Sequence, residues 1–84
     1  MSNMTDRGLV AIQREPGGRA TVTVCARVVR GRPAGAFAVH ANVPTVVVDP
    51  GIQLWNADNV RYSAAVVEVF RGDDGAVHIQ SIPD

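Results

Sequence analysis

The chain contains no lysine. All eight of its cations are arginines, and they balance eight Asp and Glu to a formal net charge of zero. The missing lysine reads first as coding bias in a high-GC genome, and neutrality argues against a nucleic-acid partner. Cysteine occurs once, at Cys25, which excludes an intrachain disulfide and with it a disulfide-stapled secreted scaffold. Aromatic side chains are scarce: Phe37, Trp55, Tyr62 and Phe70. No segment approaches the roughly 20 apolar residues needed to cross a bilayer, so no membrane partner is expected. The opening MSNMTDRGLVAIQREPGG has no apolar run of signal-peptide length, so synthesis in the cytoplasm is expected, with a virion as one destination.

What is present is valine and alanine in short runs. At 84 residues this is one domain near the lower end of what folds alone. A Val/Ala core is thin. At about 25 cal/mol per Å² buried, against about 1.5 kcal/mol of entropy per ordered residue, its balance lies near zero. Help from a partner or from further copies of the chain is therefore expected. Residues 1–7 read as a polar tail and residues 8–84 as a single β domain. The tail is expected to dock on another chain.

The dominant signal is Val60 to Ile82, two apolar runs joined by Arg71-Gly72-Asp73-Asp74-Gly75, whose residues tolerate turn conformations. Asp58 or Asn59 would suit a helix N-cap, but the β-branched and aromatic residues from Val60 to Phe70 collect on no single helical stripe. The run is read as one central strand covered on both faces. Upstream, Leu9 to Gln13 is a strand and REPGG a turn. Ala20 to Arg30 alternates, which sends Val22, Val24, Ala26 and Val28 inward and Thr21, Thr23, Cys25 and Arg27 outward. GRPAG breaks that strand, and the next carries Phe37 and Val39 as an inward pair. Tyr62, Val66, Val22, Val24 and Phe37 are thus expected to share one core. The count is six or seven short strands with frequent turns, an all-β antiparallel sandwich, with a small β-barrel as the alternative.

Asp58-Asn59-Val60-Arg61-Tyr62-Ser63-Ala64 resembles the stretch leading into strand F of immunoglobulin-like domains, where the Tyr hydroxyl bonds nearby backbone as the tyrosine corner. ATVTVCARV is similar to strand B, Phe37 falls where the family places its core tryptophan, and GRPAGA looks like an early hairpin of bacterial Ig-like modules. Ala64 stands where the second cysteine belongs, and Trp55 comes too late for strand C. The resemblance implies a sandwich whose loops bind, and transfers no activity.

Several short motifs have a chemical and a bland reading. Arg30-Gly31-Arg32-Pro33 matches the core of an AT-hook, which inserts arginines into narrow minor grooves, but its strand-like flanks favour a turn with solvated arginines. Arg71-Gly72-Asp73 spells an adhesion tripeptide and is ordinary turn chemistry. Cys25 with His40 or His78 lacks the orienting third group that nucleophilic catalysis needs, and the three lack the close ligand pair of a metal site. No cofactor is expected.

Charge is divided by halves. Residues 1–42 hold six Arg against Asp6 and Glu15 (+4), and residues 43–84 hold two Arg against six acids (−4). The expectation is a non-enzymatic domain that docks on a larger assembly or on itself, for example a phage capsid-decorating or accessory virion protein. Arg30, Arg32, Asp73 and Asp74 are its candidate interaction residues. The alternative is a nucleic-acid-binding β-barrel using Arg27, Arg30 and Arg32.

Overall fold

The computed structural model describes residues 5–83, which form eight strands and no helix. These are β1 (Asp6–Arg14), β2 (Ala20–Val29), β3 (Arg32–Val43), β4 (Val46–Val48), β5 (Leu54–Ala57), β6 (Val60–Ser63), β7 (Val67–Arg71) and β8 (Val77–Ser81). The all-β class follows from the β-branched runs between Gly- and Pro-bearing turns.

β1 is the hub of the sheet. It pairs antiparallel with β2 along residues 9–14, with β6 along 11–13 and with β7 along 6–8. The sheet continues to β3 beyond β2, to β8 and β4 beyond β7, and to β5 beyond β6. Val10 and Ile12 of β1 join Val22, Val24, Val67, Val69, Val77 and Ile79 in one buried cluster. Ala38 of β3 and Val46 and Val48 of β4 come from opposite ends of the sheet, yet pack against that same cluster. The eight strands therefore make one open mixed sheet around a single apolar cluster, in place of the two separate antiparallel layers expected of a sandwich. Two further details depart from expectation. The strands number eight, and β4 runs parallel to β8, with Val46–Val48 opposite Val77–Ile79.

The run from Val60 to Arg71 does follow β1 as a strand, but with an interruption. Tyr62 faces Ala11 and Val67 faces Gly8, so five residues of one chain segment span three of the other, an excess of two. Ala64 to Val66 bulge out to absorb the excess. Val66 is accordingly 53% exposed and does not belong to the core. The Ser63 side chain enters the gap, accepting the Val10 N–H at 3.0 Å and donating to the Ala65 carbonyl at 2.9 Å.

Two further irregularities bend the hairpin of β2 and β3, one between the Ala20–Val43 and Val22–His40 pairs and one at Phe37. Val24 faces Ala38 but Cys25 faces Ala36, which leaves Phe37 as an extra residue. Beyond this bulge the inward and outward faces no longer follow the alternation set by Val22 and Val24. Cys25 is fully buried and Ala26 exposed, the reverse of the expected pattern, and Cys25 is a free thiol. Phe37 and Val39 are likewise not core residues, at 61% and 60% exposure.

The expected tail is shorter than residues 1–7, because Asp6 and Arg7 are strand residues paired with Val69 and Glu68. The Arg7 guanidinium holds Glu68 through Nε at 3.0 Å and a terminal nitrogen at 2.8 Å, while Gln80 donates to the other carboxylate oxygen. The expected docking of the tail on another chain now concerns Met1 to Met4, which lie outside the described residues.

Candidate functional site

The most unusual surface is the free edge of β3. Sheets end at edges whose backbone groups are unpaired, and natural proteins blunt them with short strands, charges or covering segments. Two edges here are short: β4 has three residues and β5 four. β3 has twelve and, among the described residues, pairs with β2 alone. From Pro33 to Val43 it reads PAGAFAVHANV, without Lys, Arg, Asp or Glu, and Val43 is its one buried residue. Phe37 and Val39 stand exposed in its middle. Phe37 is not wholly loose, since its ring edge lies over Gly8, where an added Cβ would be 3.1 Å from Cε2.

The candidate arginines lie at the start of this strand. Arg30 and Gly31 form a two-residue turn between the paired Val29 and Arg32, and both have positive φ (53° and 73°), the requirement of a type I′ hairpin. The RGRP stretch is thus a structured hairpin tip, unlike the extended segment that a minor-groove hook needs. The Tyr62 hydroxyl donates to the Gly31 carbonyl and ties this tip across to β6. Trp55 packs against Tyr62 with ring centroids 4.9 Å apart, and an open cleft of about 430 Å³ lies between the tip and β6, lined in part by Thr23, Arg32, Asp58 and Tyr62.

The candidate acids lie near the other end of β3. In the turn between β7 and β8, the Gly75 N–H donates to the Gly72 carbonyl, and the Asp74 carboxylate accepts the Ala76 N–H at 3.0 Å. Arg71 folds back to donate to the carbonyls of Gly75, Ala41 and Asn42. This clamps the acidic turn against the last residues of β3. It also commits Arg71 to backbone, so the adhesion-like tripeptide does not present a free arginine. Asp73 is left exposed at the tip.

Other candidates are dispersed. Cys25 is enclosed, His78 stacks on Phe70 at 4.8 Å, and His40 Nε2 stands 3.7 Å from the Asp6 carboxylate, buried and without a hydrogen-bond partner. Among the described residues no group of three or more His, Cys, Asp and Glu could hold a metal ion, and no helix is long and apolar enough to cross a membrane. A second cleft, about 410 Å³, opens between β4 and β5, with Ile12, Val46 and Leu54 beside Arg14, Asn56 and Arg61. Arg14 is engaged by the Gly18 carbonyl at 2.9 Å.

Sequence reasoning places Arg30 and Arg32 in loops or at strand ends and Asp73 and Asp74 on a turn; Arg30, Asp73 and Asp74 lie on turns, and Arg32 is the first residue of β3. It missed that they flank one strand edge, and it took the residues of that edge for core. No protein-family model matches the chain, and no curated protein or solved structure does either.

Proposed function

We propose that this chain is a non-catalytic docking domain that joins a protein assembly by offering the free edge of β3 to another strand. The observation that carries the proposal is the twelve-residue, uncharged-centred edge with Phe37 and Val39 exposed on it. Main-chain hydrogen bonds along such an edge supply affinity, and flanking side chains supply register. A repetitive shell such as a virion is the setting in which a small accessory domain of this kind fits. A partner strand would also supply the apolar burial that so thin a core lacks.

The test is hydrogen exchange on the chain alone and in complex with proteins captured from its host. Protection gained by the amides from Ala36 to Ala41, together with loss of capture by Val39→Lys, is the expected result. Capture that leaves those amides unprotected, or no capture at all, would overturn the reading. The nucleic-acid alternative would use Arg27, Arg30 and Arg32, and it predicts retention on heparin that collapses steeply with salt.

A further inference from the structure

The docking reading leaves the partner strand open, and the arrangement of β3 narrows it. We infer that the partner is β3 of a second copy of this chain, paired antiparallel about a two-fold axis at Ala38. This inference rests on the docking reading and adds to it the occupant and the direction.

Three features of the edge point to a copy of itself. The first is position. Phe37 and Val39 sit on either side of Ala38, close to the midpoint of Arg32–Val43. A two-fold there sets Phe37 opposite Val39 of the second copy and Val39 opposite its Phe37, so both exposed apolar side chains are covered by a single operation. Such self-complementarity is what an isologous interface demands.

The second feature is charge. Arg30 and Arg32 mark the start of the strand, and the Asp73-Asp74 turn is held against its end. Arg71 reaches Ala41 and Asn42 at 3.3 and 3.5 Å, and an added Cβ on Gly75 would stand 3.6 Å from Pro44. The same two-fold brings Arg32 opposite Pro44 of the second copy, beside that acidic turn. A parallel pairing would instead stack arginine tip on arginine tip. Opposite charge at the two ends therefore selects the antiparallel direction. Arg19 also lies toward the acidic end, next to Ala20, which pairs with Val43. The attraction is accordingly local to Asp73 and Asp74 and sets direction more than affinity.

The third feature is the absence of charge: the irregularities at Phe37 and near Asn42 bend the edge, but no ionised side chain guards its middle. Charged residues at mid-edge, which would block strand addition, are missing from Pro33 to Val43. Among the described residues no strand other than β2 pairs with β3, and Arg71 reaches only the Ala41 and Asn42 carbonyls near its end.

Sedimentation equilibrium of the purified full chain tests the inference, alongside Val39→Lys, Arg32→Asp, Asp73→Arg and the Arg32→Asp/Asp73→Arg double variant. The wild type is expected to dimerise with concentration, and Val39→Lys to weaken the dimer by at least about tenfold. Each charge reversal is expected to weaken it by up to about fivefold at each symmetry-related contact, more at low salt, and the double reversal to restore it. Circular dichroism of Val39→Lys checks that the monomer is folded. Should that variant unfold, concentration-dependent protection of the Ala36 to Ala41 amides in the wild type gives the same answer. Three results would overturn the inference: a wild type that stays monomeric to about millimolar concentration, a dimer that survives Val39→Lys, or a double reversal that restores nothing. A monomeric wild type would leave the docking reading standing, because that reading fails on different results: no partner captured, or captured partners that leave the β3 amides unprotected.

Discussion

The Val10 amide donates to the Ser63 hydroxyl at 3.0 Å, across the place where the ladder between β1 and the Val60–Arg71 run is broken. The two-residue excess at Ala64 to Val66 removes the carbonyl that would ordinarily receive this N–H. Ser63, itself buried, supplies an oxygen in its stead and donates its own O–H to the Ala65 carbonyl. A buried backbone donor without a partner is costly, so the hydroxyl is what makes the bulge tolerable.

Ser63→Ala is accordingly expected to destabilise the fold by about 1–3 kcal/mol in chemical denaturation and to speed exchange of the Val10 amide. A loss below about 0.5 kcal/mol would show that water or a backbone shift can replace the hydroxyl.

Gly8 and Phe37 predict opposite outcomes despite their contact. A methyl group at Gly8 would stand 2.8 Å from the Cys25 carbonyl oxygen, a backbone atom with little freedom to retreat. Gly8→Ala is expected to cost about 1–3 kcal/mol through displacement of β1 from β2. Phe37→Ala, at a largely exposed ring, is expected to cost under about 1 kcal/mol in the monomer. Comparable thermal-melt losses for the two would return Phe37 to the core.

Tyr62→Phe keeps the buried ring against Trp55 and removes only the bond to the Gly31 carbonyl. The expected loss is about 0.5–1.5 kcal/mol, with faster amide exchange confined to the Arg30-Gly31 hairpin tip. Uniform exchange across the domain would mean that the hydroxyl does not tether the tip.

The two acids of the last hairpin are expected to separate. Asp74→Ala frees the Ala76 N–H and should cost about 1 kcal/mol, whereas Asp73→Ala should lie within about 0.5 kcal/mol of wild type. Asp74→Asn retains an acceptor oxygen and should lie close to wild type. Equal effects of the two alanine variants would remove the structural role given to Asp74.

Much of this fold could be read from residue pattern, and the failures have two causes. The hairpin of β7 and β8 is legible because its turn residues and its flanking apolar runs are contiguous. Val22 and Val24 are legible because strict alternation holds there. Phe37 and Val66 are misread because each lies within a bulge, and Cys25 and Ala26 because they sit opposite one, where the ladder is locally disrupted without any change of composition. Val39 is misread for another reason. An apolar residue on an edge strand looks the same in sequence as one in the core, and which strand ends a sheet is decided by distant pairings. The parallel alignment of β4 with β8 belongs to the same class. The candidate residues were legible as turn chemistry, but that Arg32 and Asp73 flank one strand emerges only when β7 and β8 come to rest against the end of β3.

The central position of β1 has a consequence for how the protein is made. β1 is flanked by β2, which follows within a few residues, and by β6 and β7, which follow only after β3, β4 and β5. Until residues 60–69 have left the ribosome, one side of β1 has no neighbour, while the hairpin of β2 and β3 can already close by itself. The nascent chain therefore passes through an interval in which both margins of a three-stranded apolar ribbon are open, a state prone to pairing with neighbouring nascent chains.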